Sequence, residues 1–228
     1  MNNINWRKRD TLALFVIPLE FLLGWLFVTF VHINNPNISA LIPFIAKLIS
    51  LVLIIILFHE LLASDGRDFK KRLWLKLLIC LGIAFLMRFV LSGVRGLLHI
   101  PQSAETLKML TGGLPYGLFL LASFTPVLAP ITEEVVFRHV LFYKFKDSRV
   151  LRVIMCIVSA FAFGAIHFNN FSGNLLLTVP YMVIALLYNL IYYFTGNIWY
   201  STTIHLIFNF SQSVIPALSL PFIAGGIS

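Results

Sequence analysis

Two adjacent carboxylates and an arginine stand inside a long apolar run, in the segment PITEEVVFR from Pro130 to Arg138. Neighbouring residues of a helix point about 100° apart, so Glu133 and Glu134 face different surroundings. Glu134 and Arg138 are four residues apart on one face and can pair. An ion pair would neutralise Glu134 and leave Glu133 as a general base, a role that suits a carboxylate in a cavity of low dielectric.

A charged side chain near the centre of a bilayer costs at least a few kcal/mol, so an intramembrane acid usually pairs, faces a cavity or takes part in chemistry. The alternative to catalysis is a buried ion-pair cluster that holds helices together. A packing device needs one acid, whereas this segment has two. The doubled carboxylate therefore favours a functional site.

Two histidines follow in later apolar segments. His167 ends the segment FGAIH, in which Gly164 and Ala165 permit close helix approach. His205 and Asn209 are four residues apart and project from one face of a helix. Such a pair could donate hydrogen bonds to a developing oxyanion or form an ordinary interhelical contact. A histidine at a helix end, such as His167, is also compatible with an interfacial anchor.

Together these groups supply a base, a partner that orients water and oxyanion donors, which peptide hydrolysis inside a membrane requires. No intramembrane serine or cysteine stands in a recognisable nucleophile context. Glu133, His167 and His205 could instead hold a metal, because zinc accepts histidine and carboxylate ligands. The chain has no HExxH sequence, which makes this alternative weaker.

The composition places these residues in a membrane. Of the 228 residues, 59% are hydrophobic and 11% are charged, whereas soluble domains carry roughly 25% charged residues. The mean hydropathy is +0.92. Apolar runs of the length that crosses a bilayer recur from residue 11 onward, which predicts an all-α polytopic membrane helical bundle of about seven to eight transmembrane helices. We expect residues 1–228 to form a single integral membrane domain.

The predicted helices are bounded by turn-forming and basic residues. Pro126 and Pro130 should kink or break the fourth helix just before the carboxylates. The connection 95–113 could hold an interfacial helix, and the tail from Pro216 could form a half-length eighth helix. The helix boundaries are near 11–32, 39–62, 74–94 and 114–143, a fifth helix that ends near 168, and then 175–194 and 198–214.

The basic residues indicate topology. Twelve of the 17 lysines and arginines lie in three clusters, namely the N-terminus, the segment 64–76 and the segment 144–152. By the positive-inside rule, this places the N-terminus in the cytoplasm of a cell, with a bacterial cell membrane as the expected location. The net charge of +8 is therefore explained by topology, and no nucleic-acid partner is predicted. No cleavable signal peptide is expected, because the first apolar stretch is too long.

Isolated polar residues in the apolar segments are predicted to be structural. Cys80 and Cys156 should be free thiols in the core. Glu20, Lys47 and Arg88 could pair across helices, and they are predicted to be structural because no motif surrounds them.

The order Glu-Glu-x-x-x-Arg, Phe-x-x-x-His and His-x-x-x-Asn resembles the CPBP family of CAAX proteases and bacteriocin-processing enzymes, also called the Abi family. Ala129-Pro130 before the carboxylates, Phe137 before Arg138, and the segment TGNIW from Thr195 to Trp199 also agree with this family. The resemblance covers a CPBP-like catalytic core at about residues 114–212. His139 departs from it, because the family commonly has glycine after the motif arginine, so local packing should differ.

The resemblance implies a glutamate intramembrane endopeptidase in which Glu133 and His167 activate water. The remaining implied site residues are the oxyanion donors His205 and Asn209 and the supporting residues Glu134 and Arg138. Family members are often described as metalloproteases, so a divalent metal such as zinc is a possible cofactor, although the glutamate mechanism requires none. The implied partners are the lipid bilayer and a peptide or membrane-protein substrate, such as a bacteriocin leader.

Two other functions remain open from the sequence. The chain could be a bacteriocin immunity protein that acts by binding a toxin or its receptor. It could also be a proton-coupled transporter with Glu133, His167 and His205 as a relay. The protease hypothesis meets a geometric difficulty. Along straight helices, Glu133 lies about 16 Å and His167 about 27 Å from the basic connection 144–152. The two groups would then lie at different depths in the membrane.

Overall fold

Helices form nearly all of the chain that the computed structural model describes, which comprises residues 5–30, 36–100, 114–171 and 173–224. A π-helix (Glu134–Val140) follows the fifth α-helix, and single 3-10 turns occupy Tyr143–Phe145, Phe168–Phe171 and Leu175–Thr178. The predicted all-α class is confirmed. In chain order, the α-helices are α1 (Lys8–Phe30), α2 (Pro36–Lys70), α3 (Leu73–Leu97), α4 (Tyr116–Ser123), α5 (Thr125–Glu133), α6 (Arg149–Ala165), α7 (Val179–Thr195) and α8 (Ile198–Ala224).

Six segments of these described ranges are long and apolar enough to cross a membrane. One of them, Tyr116–Phe145, combines α4, α5 and the π-helix, and α6, with 17 residues, is a further and shorter helix of the bundle. The protein is therefore a multi-pass integral membrane protein. The tail predicted as a possible eighth helix instead continues α8 through Pro216 and Pro221 to Ala224.

The second helix is longer than the sequence predicts. α2 continues to Lys70, with a kink at Phe58 where φ is −121° and ψ is 21°. The basic segment 64–76 was predicted as a connection, but only its middle interrupts the helices, where Arg72 has a φ of 56°. A helix need not stop where its apolar residues stop, because charged residues can extend it beyond the membrane. The predicted interfacial helix lies largely in 101–113, outside the described residues.

Polar contacts gather the ends of several helices at one side of the bundle. Lys144 Nζ contacts Asp10 Oδ2 at 2.5 Å, which joins the start of α1 to the segment after the π-helix. The backbone N–H of Ile198 donates to Asp65 Oδ2 at 2.9 Å, so a carboxylate from α2 caps the first turn of α8. Asn197 Nδ2 donates to the Asp65 carbonyl oxygen at 2.8 Å. These bonds fix the position of α8 relative to α2.

The helix that carries the paired carboxylates is broken, as predicted, but the break falls between α4 and α5. Pro126 occupies the first turn of α5 and Pro130 lies within it. The chain then widens into the π-helix, where the N–H of Leu141 donates to the carbonyl of Val136 at 3.0 Å. Nearly every residue from Glu133 to Val140 is buried. π-helical turns often occur at functional sites, and this one lies at the centre of the bundle.

Close packing of α6 against α7 depends on one glycine. A Cβ atom at Gly164 would overlap Met182 Cγ and would lie 3.3 Å from the carbonyl oxygen of Thr178. The sequence-based prediction of close helix approach at this glycine is confirmed. Because His167 follows one turn later, this contact also sets the position of that histidine.

Replacement of Gly164 by alanine should therefore destabilise the protein by about 1–3 kcal/mol, since Met182 and the α7 backbone must move. Thermal unfolding in detergent micelles measures the change. Gly82→Ala in α3 is the matched control, because no atom lies within 4 Å of the position that its Cβ would take. Equal unfolding temperatures for the two variants would contradict the packing role.

Candidate functional site

The predicted pair between Glu134 and Arg138 is present at the centre of the bundle. Arg138 Nε lies 3.4 Å from Glu134 Oε2, and both side chains have 0% exposure to solvent. The guanidinium also lies over the rings of Phe163, at 4.3 Å, and Tyr188, at 5.2 Å. Cation–π attraction is strongest where the cation is removed from water. The arginine is thus held by one carboxylate and by aromatic faces from α6 and α7.

His205 lies between the two glutamates. Its Nδ1 is 3.0 Å from Glu134 Oε1 and its Nε2 is 3.8 Å from Glu133 Oε2. The imidazole stacks on Tyr188 with a centroid distance of 4.8 Å and an interplanar angle of 24°. An ionised carboxylate only accepts hydrogen bonds, so Nδ1 carries the proton that it donates to Glu134. Nε2 therefore points its lone pair, or in the imidazolium a second N–H, toward Glu133.

Glu133 contacts a cation that the motif does not contain. Lys47 Nζ lies 3.2 Å from Glu133 Oε1 and 2.9 Å from Glu20 Oε1. Two of the three lone charges that could pair across helices, Glu20 and Lys47, do pair across α1 and α2, but the further contact with Glu133 was not predicted. The third lone charge, Arg88, donates to Ser211 Oγ at 3.1 Å rather than to an acid.

His167 lies beyond the end of α6 and turns back toward it. Its Nδ1 is 2.9 Å from the carbonyl oxygen of Phe163, and its ring stacks on Tyr181 at a centroid distance of 4.4 Å. A carbonyl oxygen only accepts, so Nδ1 is the donor and Nε2 of the neutral ring is free to accept.

The carboxylate of Glu133 and the imidazole of His167 interact electrostatically. The residue count along straight helices had placed these groups at different depths. The α-helix of His167 ends at Ala165, and its imidazole turns back to the carbonyl oxygen of Phe163, which reduces the difference in depth that straight helices give.

The side chain of Asn209 hydrogen-bonds to the backbone of α5. Its Nδ2 donates to the carbonyl oxygen of Pro126 at 2.8 Å. In an α-helix that oxygen would accept from the residue four positions later, but this residue is Pro130, which has no N–H. Asn209 therefore supplies a missing backbone hydrogen bond and ties α8 to α5. Its second amide hydrogen remains available to another acceptor.

His139, the residue at which the sequence departs from the resemblance, is accommodated by aromatic neighbours. Its Nδ1 lies 2.8 Å from Tyr192 Oη, and its ring meets Phe58 edge-on at a centroid distance of 5.8 Å. The expected difference in local packing thus takes the form of contacts with α7 and with the kink of α2.

A metal site in the described ranges would require three or more side chains to converge as ligands. Across the described residues, no group of three or more His, Cys, Asp or Glu side chains is placed to hold a metal ion. The ammonium of Lys47 also lies 3.2 Å from Glu133 Oε1, next to the carboxylate that would have to bind a cation. The two cysteines, Cys80 and Cys156, are free thiols, as predicted, but only Cys80 is buried in the core and Cys156 is partly exposed.

The residues of the motif are readable from the sequence, whereas the contact of Lys47 and Glu20 with this site is not. For Lys47 and Glu20, the sequence indicates only that Lys47, as a lone cation in an apolar helix, needs a counter-ion. That signal does not identify the counter-ion. The carbonyl of Pro126 was also foreseeable as an unpaired acceptor, because Pro130 lies four residues later.

Acids, histidines and an arginine buried between transmembrane helices define a multi-pass membrane protein with an intramembrane polar site. Residues 115–211 match the family model described as Rce1-like, type II CAAX prenyl endopeptidase Rce1-like. The chain thus contains a domain of the Rce1-like type II CAAX prenyl endopeptidase (CPBP/Abi) family, and the predicted resemblance is confirmed. Comparison with curated proteins and with solved structures gives no significant match.

Family membership indicates a membrane peptidase that acts on protein substrates. The matched segment contains all six residues predicted for the site. Glu20 and Lys47 lie outside it, on the two N-terminal helices.

Substitution of Arg138 by methionine should destabilise the protein by about 3–5 kcal/mol, because it leaves the Glu134 carboxylate buried without its cation. The double variant Glu134→Gln/Arg138→Met should recover much of this loss, since both charges are then absent. Unfolding of purified protein in mixed micelles by added SDS measures both effects.

The exposed pair Lys71–Asp68, at 3.3 Å with side chains 76% and 60% exposed, is the control. Lys71→Met should change stability by less than about 1 kcal/mol. If Arg138→Met behaves like Lys71→Met, the central pair does not stabilise the bundle.

Proposed function

We propose that this protein is an intramembrane endopeptidase that hydrolyses a peptide bond with a water molecule activated by Glu133. The observation that carries the proposal is the 3.8 Å gap between Glu133 Oε2 and His205 Nε2 in a buried site. This separation is too long for a direct hydrogen bond. It is short enough for one water molecule to hydrogen-bond to both atoms from the side.

Water activation rests on Glu133 together with His167. The two side chains interact electrostatically, and Nε2 of neutral His167 is free to accept a hydrogen bond. Glu133 removes a proton from the water while His167 orients it. The new hydroxide adds to the carbonyl carbon of the scissile peptide bond.

His205 and Asn209 are the proposed oxyanion donors. With Nδ1 of His205 donating to Glu134, its Nε2 can donate to an oxyanion only when the ring carries both protons. The neighbouring carboxylates of Glu133 and Glu134 would stabilise the positive charge of that imidazolium. Asn209 contributes the amide hydrogen that Pro126 does not use. Donors fixed in a dry site are worth several kcal/mol of transition-state stabilisation.

The tetrahedral intermediate then collapses. The carbon–nitrogen bond breaks, and the leaving amine receives the proton that Glu133 took from water. The new carboxyl group loses its remaining proton, so one water is consumed and two peptides are released. No step requires a metal ion, and we propose a metal-free mechanism. Arg138 and Glu134 support the site by orienting His205.

The family description points to a prenylated C-terminal peptide as the first substrate class to examine. A membrane-bound peptide without a prenyl group is the second. We place the basic end of the bundle in the cytoplasm of a bacterial cell, in agreement with the clustering of lysine and arginine at that end.

Purified protein in phosphatidylethanolamine and phosphatidylglycerol vesicles should cleave at least one of two quenched fluorescent peptides, of which one is farnesylated with a CAAX end and the other is not. Glu133→Gln, His167→Ala and His205→Ala should each lower kcat by about 100-fold or more, because each removes a general base, its partner or an oxyanion donor. Excess chelator should leave the wild-type rate unchanged.

Two adjacent exposed residues of α2 serve as matched controls. His59 and Glu60 are exposed side chains of α2, so His59→Ala and Glu60→Gln should retain the wild-type rate. Equal cleavage by all variants contradicts the proposed roles. Proton flux into the vesicles without cleavage would favour a transporter, and protection of cells from a toxin by uncleaving variants would favour an immunity protein.

A further pair of variants separates the structural and catalytic contributions of Asn209. Asn209→Ala should cost about 1–3 kcal/mol of stability, because the Pro126 carbonyl loses its donor. Adding Pro130→Ala restores an N–H four residues after Pro126 and should recover the stability. The cleavage rate should stay low in the double variant, since the oxyanion donor is still missing. Recovery of both stability and rate would show that Asn209 is structural only.

A further inference from the structure

We infer that Lys47 is a positioning residue for Glu133, and that Glu20 holds Lys47 in place. This inference rests on the proposed function, in which Glu133 is the base. It assigns a role in the site to α1 and α2, which lie outside the segment that matches the family.

The contacts are short and sheltered. Lys47 Nζ donates to Glu133 Oε1 at 3.2 Å, and their side chains are 17% and 5% exposed. Glu20 Oε1 lies 2.9 Å from the same ammonium, with its side chain 11% exposed. In such surroundings an ion pair is screened far less than at a protein surface. A single ammonium therefore bridges the first transmembrane helix to the helix that carries the motif.

The contact distinguishes the two oxygens of Glu133. Oε1 is occupied by Lys47, while Oε2 is the oxygen at 3.8 Å from His205 Nε2. An unrestrained carboxylate rotates about its last bond, because that torsion is broad and roughly two-fold. Binding one oxygen to Lys47 fixes the plane of the carboxylate and presents the other oxygen to the water site. Lys47 thus sets the geometry of the base without reaching the reacting atoms itself.

Lys47 itself needs restraint, since a lysine side chain has four rotatable bonds and many rotamers. Glu20 supplies it from α1, across the close contact between α1 and α2. The titratable groups around Glu133 then come from four different elements, with Lys47 from α2, Glu20 from α1, His205 from α8 and His167 from the turn after α6. Loss of Lys47 or Glu20 should let the Glu133 carboxylate rotate more freely, while the carboxylate itself remains.

A double-mutant cycle in detergent micelles tests the contact independently of activity. Lys47→Met and Glu133→Gln should each change Tm, and the double variant should differ from the sum of the two changes, because the residues are in direct contact. The control cycle pairs Arg88→Met with Glu133→Gln. Arg88 is also an intramembrane cation but bonds to Ser211, so its effects should be additive. Additive changes for Lys47 would overturn the inference.

The second measurement is cleavage of the quenched peptides in vesicles. Lys47→Met should lower kcat by about tenfold or more and change KM by less than about twofold, since it displaces the base without altering substrate binding. Lys47→Arg should restore part of kcat, Glu20→Gln should give a smaller loss, and Arg88→Met should match wild type. An unchanged kcat in Lys47→Met would overturn the inference. Failure of the wild type to cleave either peptide would instead contradict the proposed function, while the Tm cycle would still decide the contact.

Discussion

The Glu134–Arg138 pair has no access to water, and the surrounding elements are arranged to compensate for that isolation. Burial of two charges costs more than their attraction returns unless further partners complete them. Here the rings of Phe163 and Tyr188 cover the guanidinium and His205 donates to the carboxylate. The three guanidinium nitrogens have no hydrogen-bond partner in the described part of the chain, so Arg138 depends on the carboxylate and the aromatic rings. Because these contacts come from α6, α7 and α8, one ion pair brings three helices to the π-helix. The candidate site is formed by the same contacts.

The other carboxylate of the motif, that of Glu133, is paired by the N-terminal helices. Glu133 faces α1 and α2, where Lys47 Nζ lies 2.9 Å from Glu20 Oε1 and 3.2 Å from Glu133 Oε1. The two neighbouring acids thus connect different halves of the bundle, one to the C-terminal helices and one to the N-terminal hairpin. Removing either acid would affect packing as well as chemistry, which is why stability and cleavage have to be measured separately at this site.

Local spacing was enough to predict much of this arrangement. The four-residue interval between Glu134 and Arg138 predicted their pairing, and the apolar runs predicted an all-α membrane bundle. The contact of Lys47 with Glu133 spans 86 positions in sequence, and no pattern in one chain specifies which helices meet. The end of α2 was misplaced because a helix can continue through charged residues once it leaves the membrane. Pro130 implies an unpaired carbonyl one turn earlier, whereas the donor to that carbonyl, Asn209, depends on how α8 packs.

The pairing of Glu20 with Lys47 also bears on how the chain enters the membrane. These residues lie on two consecutive helices that precede the motif in the chain, and a lone acid or base within a transmembrane helix opposes insertion. As a hairpin, α1 and α2 can match the two charges before any later helix is made. Glu133 emerges afterwards into a bilayer where its cation is already in place. The order of synthesis therefore follows the order in which the buried charges can be neutralised.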